Sequence, residues 1–353
     1  MSLTMVDKGL LCVVRAVMMV MVLLSTRRRR SHFQASVGAF AFRQSQSESS
    51  SSRSKPKVPS IPDKIIHSYQ QDGVVKIPSM VPPKWRSRLE DAFVDTRRTP
   101  SGQSEFLQQP TDEGTYFTDL EVSKYHDSFR EFALHSCCAE IAGKVMQCNE
   151  TTRFLYDQLF WKETVGVSTP TPWHQDGSYW RVSGTQICTV FVPLDHVPPD
   201  EGLYFVKGTQ DWPLCKPRHF ADGTDYDNYH TGKKTLPDID ALLQKSKGKQ
   251  RHPYQLLKFG LDPGDVLVFN HRIVHGGPGN YGRALSTRWV GENTKWDPDQ
   301  GVVPTEHYGR KGSYFGEEHS MDNAHFPVVW RKMKRKVSSS NDDKGTQREH
   351  QGI

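Results

Sequence analysis

From Arg153 onward the chain is cut into short apolar segments between turn residues: "RFLYDQLFWKE", "GTQICTVFVPLD", "GLYFVKG", "DVLVFN" and "RALSTRWVGE". Segments of this length, rich in β-branched and aromatic residues, read as strands. A long series of short strands has to protect its edges, either by closing on itself or by stacking as two sheets. The preceding region has a different texture. "IPDKIIHSYQQDGVVKIPSMVPPKWRSRLEDAFVDT" begins with helical spacing (Ile61, Ile65, Ile66, Tyr69) and breaks at Asp72-Gly73. It then runs a short strand, "VVKI", and restarts as a helix after Pro82-Pro83. "FREFALHSCCAEIAGKVMQ" reads as a further amphipathic helix. Helices followed by strands predict an α+β chain: a double-stranded β-helix (jelly roll, cupin-like) core with flanking N-terminal helices.

Charge sets the limits of that domain. Residues 1–57 carry ten Lys or Arg against two acids, Asp7 and Glu48, a local balance of +8 within a chain of net +6. By subtraction, 6 − 8, the rest stands near −2, so the body offers no basic surface for nucleic acid. The run Ala16–Ser25 is apolar and flanked by Arg15 and Arg27–Arg30, too short to span a membrane but matched to a signal h-region. "SQSESSSSRSKPK" follows as a serine-rich linker. Residues 1–57 are therefore expected to be a cleaved presequence and linker, addressing a plastid or mitochondrion, with entry to the secretory route or no address as alternatives. Membrane association is expected only through that segment if it is retained. Residues 58–332 form the expected domain and 333–353 a polar, basic tail. The six cysteines contain no C-x-x-C pair and read as reduced, packed thiols.

The chemistry gathers at two places. "TPWHQDGSYW" holds His174 and Asp176 two residues apart, the spacing that puts both on one face of a strand. "LDPGDVLVFNHRIVHGGPGN" turns tightly at Pro263-Gly264-Asp265, runs as a strand, and meets His271, His275 and the glycines 276, 277 and 279. Those glycines allow a close backbone approach beside His275. Two histidines and a carboxylate as His-x-Asp…His can occupy one face of an octahedral ferrous ion and leave the other face open. The 99 residues between Asp176 and His275 are no obstacle if the two segments become neighbouring strands.

With these residues in place the chain resembles the phytanoyl-CoA dioxygenase family of Fe(II)/2-oxoglutarate oxygenases, from about Ile61 to Trp296. The markers are "YQQDGVVKIPSMV", "TPWHQDGSYW", "DEGLYFVKGTQ", "DPGD", and "HGGPGN" leading to "RALSTRW", in that order. The resemblance implies His174, Asp176 and His275 as iron ligands, with His271 the rival for the last place. It implies 2-oxoglutarate and dioxygen as co-substrates. An arginine on the strand after the distal histidine would anchor the far carboxylate of 2-oxoglutarate. Arg288 shares a face with Ala284 and Ser286 and is preferred; Arg283 is kept, and Gly282 stands near the place where relatives carry that arginine. Thr171 and Lys162 are further implied contacts to the co-substrate. Trp173, Tyr179 and Trp180 flank the metal segment as candidate substrate contacts. The expected reaction is hydroxylation of an unactivated C–H bond in a small molecule, with desaturation or ring closure left open, by a monomer or dimer. A metal-binding jelly roll without turnover, serving as a binding module, is the alternative.

Overall fold

The computed structural model describes residues 60–111, 114–163, 170–220, 223–226, 234–245, 254–280, 282–301, 303 and 325–333, all within the unit Ser54–Ile353. The segment expected to be a presequence and linker, and the expected tail beyond residue 333, lie outside the described residues. No described helix is long and apolar enough to cross a membrane.

Helix α1 (Asp63–Asp72), strand β1 (Val74–Ile77) and helix α2 (Pro83–Arg98) fall where the sequence pattern placed them. A hairpin follows, β2 (Ser104–Thr111) and β3 (Gly114–Leu120). The segment read as one helix from Phe129 is two, α3 (Asp127–His135) and α4 (Cys138–Val145). Ser136 is extended (ψ 177°) and its hydroxyl accepts from the N–H of Cys138 at 3.3 Å, so it ends one helix and starts the next.

The remaining elements are β4 (Thr151–Lys162), β5 (Thr171–His174), β6 (Val182–Ser183), β7 (Ile187–Pro193) and β8 (Tyr204–Val206). Then come α5 (Ile239–Lys245), β9 (Leu256–Lys258), β10 (Val266–Asn270), β11 (His275–Gly277), β12 (Arg283–Gly291), β13 (Lys295–Trp296) and β14 (Val328–Arg331). One sheet runs β1-β10-β7-β12-β4-β3-β2, with β14 also on β4; a second runs β5-β11-β8-β9. Both are antiparallel throughout. This is the α+β jelly-roll arrangement expected from the sequence.

The central strands are covered on both faces, which explains why β7 is apolar without a clean alternation and buried at every position. Cys188, Val190 and Val192 of β7 pack with Val266, Val268, Leu285 and Trp289 against Leu89, Phe93, Phe129 and Ile141 of the helices. From the other face Phe191, Leu267, Phe269 and Ala284 meet Phe205 of the second sheet. The substrate-sized space lies on this second side, between the sheets.

Trp289 is fully buried, its indole N–H donates to Thr287 Oγ1 at 2.9 Å, and its ring meets Phe154 edge-on. Trp289→Ala should cost about 3–5 kcal/mol of unfolding free energy in a urea titration. A loss below about 1 kcal/mol would contradict this packing.

Candidate metal centre

The site begins with a strand pairing. β11 runs antiparallel to β5 with His275 opposite His174. Directly opposed residues of an antiparallel pair project from the same face, so the two rings meet, with centroids 4.2 Å apart. Close approach of the two backbones needs Gly276, where a Cβ would stand 2.9 Å from the Thr171 carbonyl oxygen and 3.0 Å from Trp173 Cα. The glycine therefore admits the neighbouring strand, not a ligand. β5 ends at His174; Asp176 opens a 3₁₀ turn, Asp176–Tyr179. Gln175 between them is extended (φ −118°, ψ 126°), so the two-residue alternation survives beyond the strand and brings Asp176 to the side of His174.

Asp176 Oδ1 lies 3.5 Å from His174 Nε2 and 3.7 Å from His275 Nε2. All three side chains are buried, and their ligating atoms lie within 4.8 Å of one another. Second contacts orient each one. His174 Nδ1 is 2.8 Å from the Pro172 carbonyl and His275 Nδ1 is 3.0 Å from that of Ile273. A carbonyl accepts only, so both Nδ1 atoms carry a proton and both Nε2 atoms are the ones turned to the carboxylate. Thr189 on β7 donates its hydroxyl to Asp176 Oδ2 at 2.8 Å, leaving Oδ1 turned to the histidines.

The electrostatics suit a cation. Burial alone would raise the pKa of Asp176, but His174, His275 and Arg288 hold its carboxyl below the usual range. Burial and the neighbouring His174 push His275 down to about 4, so its imidazole is neutral at ordinary pH. His271 is also buried, pushed down to about 3 by burial and Arg272. It sits in the turn after β10, with Nδ1 3.1 Å from the Ile187 carbonyl and its ring stacked on Trp180, and it is not part of the converging set.

The three ligand candidates open into a cavity of about 200 Å³ between the sheets. Thr171, Tyr179, Trp180 and Arg288 line it; Arg283, Lys162 and Trp173 do not. Arg288 is buried, with Nη1 donating to the Ser286 carbonyl at 2.8 Å and Nη2 to Gln158 Oε1 at 3.2 Å. Its Nε and the Thr171 hydroxyl are buried without a hydrogen-bond partner. Arg283 instead clasps Asp195 with Nε at 3.1 Å and Nη2 at 2.7 Å. Gly282 is in the left-handed region (φ 61°), and a Cβ there would meet Asp195 Oδ2 at 2.6 Å, so a long side chain has no place at that position. Lys162 continues the cavity-facing row of Tyr156, Gln158 and Phe160 on β4 but ends below Tyr116, with Nζ 4.4 Å from that ring's centroid. Burial pushes its pKa down to about 7. Trp173 projects from the opposite face of β5 into an apolar cluster with Val206 and Val274, its indole donating to Asp240 Oδ1 at 3.0 Å.

Sequence reasoning passed over Thr189 and the hairpin residues Glu105, Tyr116 and Thr118, which bring a wall to the cavity. Thr189 had a signal, a lone hydroxyl in an otherwise apolar strand. It also missed Phe220, whose ring lies 4.8 Å from that of His174. Thr189→Val keeps the shape and removes the hydrogen bond to Asp176; it should weaken divalent metal binding by roughly 10–100-fold in a cobalt titration. Unchanged affinity would contradict the role given to that hydroxyl.

The model of the family described as Phytanoyl-CoA dioxygenase (PhyH) matches residues 69–288, more than half of the chain. Solved structures share the fold at low identity. The non-heme alpha ketoglutarate dependent carbocyclase SnoK from nogalamycin biosynthesis is 16% identical with a TM-score of 0.55, over 78% of this chain and 99% of that one. The epimerase SnoN, in complex with Fe3+, alpha ketoglutarate and nogalamycin RO, is 17% identical with a TM-score of 0.54, over 76% of this chain and 98% of that one. EctD from S. alaskensis with bound Fe is 14% identical with a TM-score of 0.51, over 69% and 81%. A search of curated protein sequences finds no match. The matched span contains the converging histidines and aspartate, and the chain belongs to the phytanoyl-CoA dioxygenase (PhyH) family of Fe(II)/2-oxoglutarate-dependent oxygenases.

Proposed function

We propose that this oxygenase hydroxylates an unactivated C–H bond of a small-molecule substrate, with release of succinate and CO2. The observation that supports this best is one cavity holding both halves of the required chemistry. His174 Nε2, Asp176 and His275 Nε2 converge on one side, and Arg288 with an unsatisfied Nε stands on the other. Two imidazole nitrogens and a carboxylate are the donor set that a ferrous ion takes on one face. A guanidinium buried among Tyr156, Gln158 and Ser286, with no ion pair among the described residues, suits the far carboxylate of 2-oxoglutarate. The unpartnered Thr171 hydroxyl can donate to the same group. Iron and 2-oxoglutarate, when bound, supply the activation of dioxygen needed to oxidise a C–H bond.

The protein's own share is position and exclusion. Pro172 and Ile273 carbonyls fix the ring tautomers, Thr189 fixes the carboxylate, and the buried setting preserves these bonds from competition with water. Tyr179 is pinned at the cavity wall: its hydroxyl donates to the Arg218 carbonyl at 2.5 Å and accepts from the Arg218 N–H at 2.8 Å. Asp176 leaves no vacant ligand place for a halide, which favours delivery of a hydroxyl group. The epimerase and carbocyclase named above show that the fold also serves outcomes other than hydroxylation. For residues 1–57 we propose a presequence role, tested by the destination of a fluorescent fusion.

Succinate release in the presence of iron, 2-oxoglutarate and dioxygen tests the reading. Asp176→Ala should abolish it, and retained full turnover would refute the ligand assignment. Arg288→Ala should raise the 2-oxoglutarate concentration needed for half-maximal release by about tenfold or more, as loss of a buried charge-assisted pair does. Arg283→Ala should change it little, because Arg283 is bound to Asp195. The reverse order would exchange the two roles.

A further inference from the structure

The cavity wall carries a charge pattern that neither metal nor co-substrate uses. Among the described lining residues Arg288 is the one cationic side chain, and the co-substrate engages it. Two carboxylates line the cavity, Asp176 and Glu105. Asp176 belongs to the metal set. Glu105 is on β2, opposite Thr118 of β3, exposed at the cavity rim, and it has no ion-pair or hydrogen-bond partner among the described residues. Much of the cavity wall is aromatic, including Tyr116, Phe160, Tyr179, Phe220 and Tyr226. Tyrosine and phenylalanine faces attract cations through their ring quadrupoles, more strongly where water is thinned. Tyr116 already shows this, holding the Lys162 ammonium against its ring. Lys162 itself is buried against Tyr116 and is not among the residues lining the cavity.

We propose that the substrate is a lipophilic amine: an apolar body seated among these rings, with a protonated nitrogen held between the aromatic wall and Glu105. This rests on the oxygenase reading and narrows it. An acyl-CoA would bring several negative charges to a rim whose described ionisable group is itself an acid, with no described cation on the cavity wall beyond Arg288. A neutral lipid would use the rings but leave Glu105 without a function.

Isothermal titration of the full-length chain before iron is added compares three matched probes: 4-phenylbutylamine, 4-phenylbutanol and 4-phenylbutanoyl-CoA. The expected order is amine tightest by about fivefold over the alcohol, with the thioester weakest. Glu105→Gln should remove the advantage of the amine over the alcohol. In the unaltered chain, raising the salt concentration should shrink that advantage as well. Equal binding of amine and alcohol, tightest binding of the thioester, or no binding of any probe would each overturn the proposal. Because this titration needs neither iron nor turnover, a failure to release succinate would sink the oxygenase reading and leave the amine preference standing as a separate result.

Discussion

Everything at the site depends on the pairing of β5 with β11. That ladder sets His275 directly opposite His174, and the face shared by opposed residues in an antiparallel pair does the rest. It exists because Gly276 carries no side chain into the backbone of the neighbouring strand. A methyl group at that position would push the strands apart and separate the two imidazoles by the same motion. The carboxylate then needs only one extended residue, Gln175, to reach the same side. Gln175 is itself held: its amide donates to the Arg272 carbonyl at 2.8 Å and its carbonyl oxygen accepts from the Cys215 N–H at 2.8 Å.

The large sheet supplies the other half. On β12 and β4 the cavity-facing partners are Arg288 with Tyr156, Ser286 with Gln158, and Ala284 with Phe160. The small side chains of Ser286 and Ala284 leave the volume that the guanidinium and its neighbours enclose. β4 carries one extra residue, Leu155, between the partners of Arg288 and Trp289, so Tyr156 faces the cavity while Phe154, two residues earlier, faces the helices with Trp289. Arg288 and Trp289, adjacent on β12, face the cavity and the core by ordinary strand alternation. A buried guanidinium with no ion pair, and a buried hydroxyl with no hydrogen-bond partner, among the described residues, are costly in a finished interior. A site built to receive an anion accounts for both.

Much of this was legible in the sequence. The Asp72-Gly73 break, Pro82-Pro83 and the strands from "RFLYDQLFWKE" to "RALSTRWVGE" carried their own punctuation, and the structure follows it. His174, Asp176 and His275 stood out because spacing and glycine content pointed to one chemistry. Arg288 was preferred over Arg283 from the face it shares with Ala284 and Ser286; the structure adds that Asp195 engages Arg283. The β2–β3 hairpin escaped notice because Gln108, Gln109 and Pro110 interrupt its alternation, tolerable in β2, which ends the sheet. The split between α3 and α4 turned on a single serine cap. Trp173 was read from flanking position without applying strand alternation: being next to His174 on a strand puts it on the other face, where it packs as core.

The central claim is that one cavity holds ferrous iron and 2-oxoglutarate together. The most direct measurement is the visible absorption of the full chain loaded with ferrous iron under anaerobic conditions, before and after 2-oxoglutarate is added. A charge-transfer band should rise on addition and saturate at one equivalent per iron site. Iron bound with no new band would show that the cavity does not bring the two together, and would contradict the account.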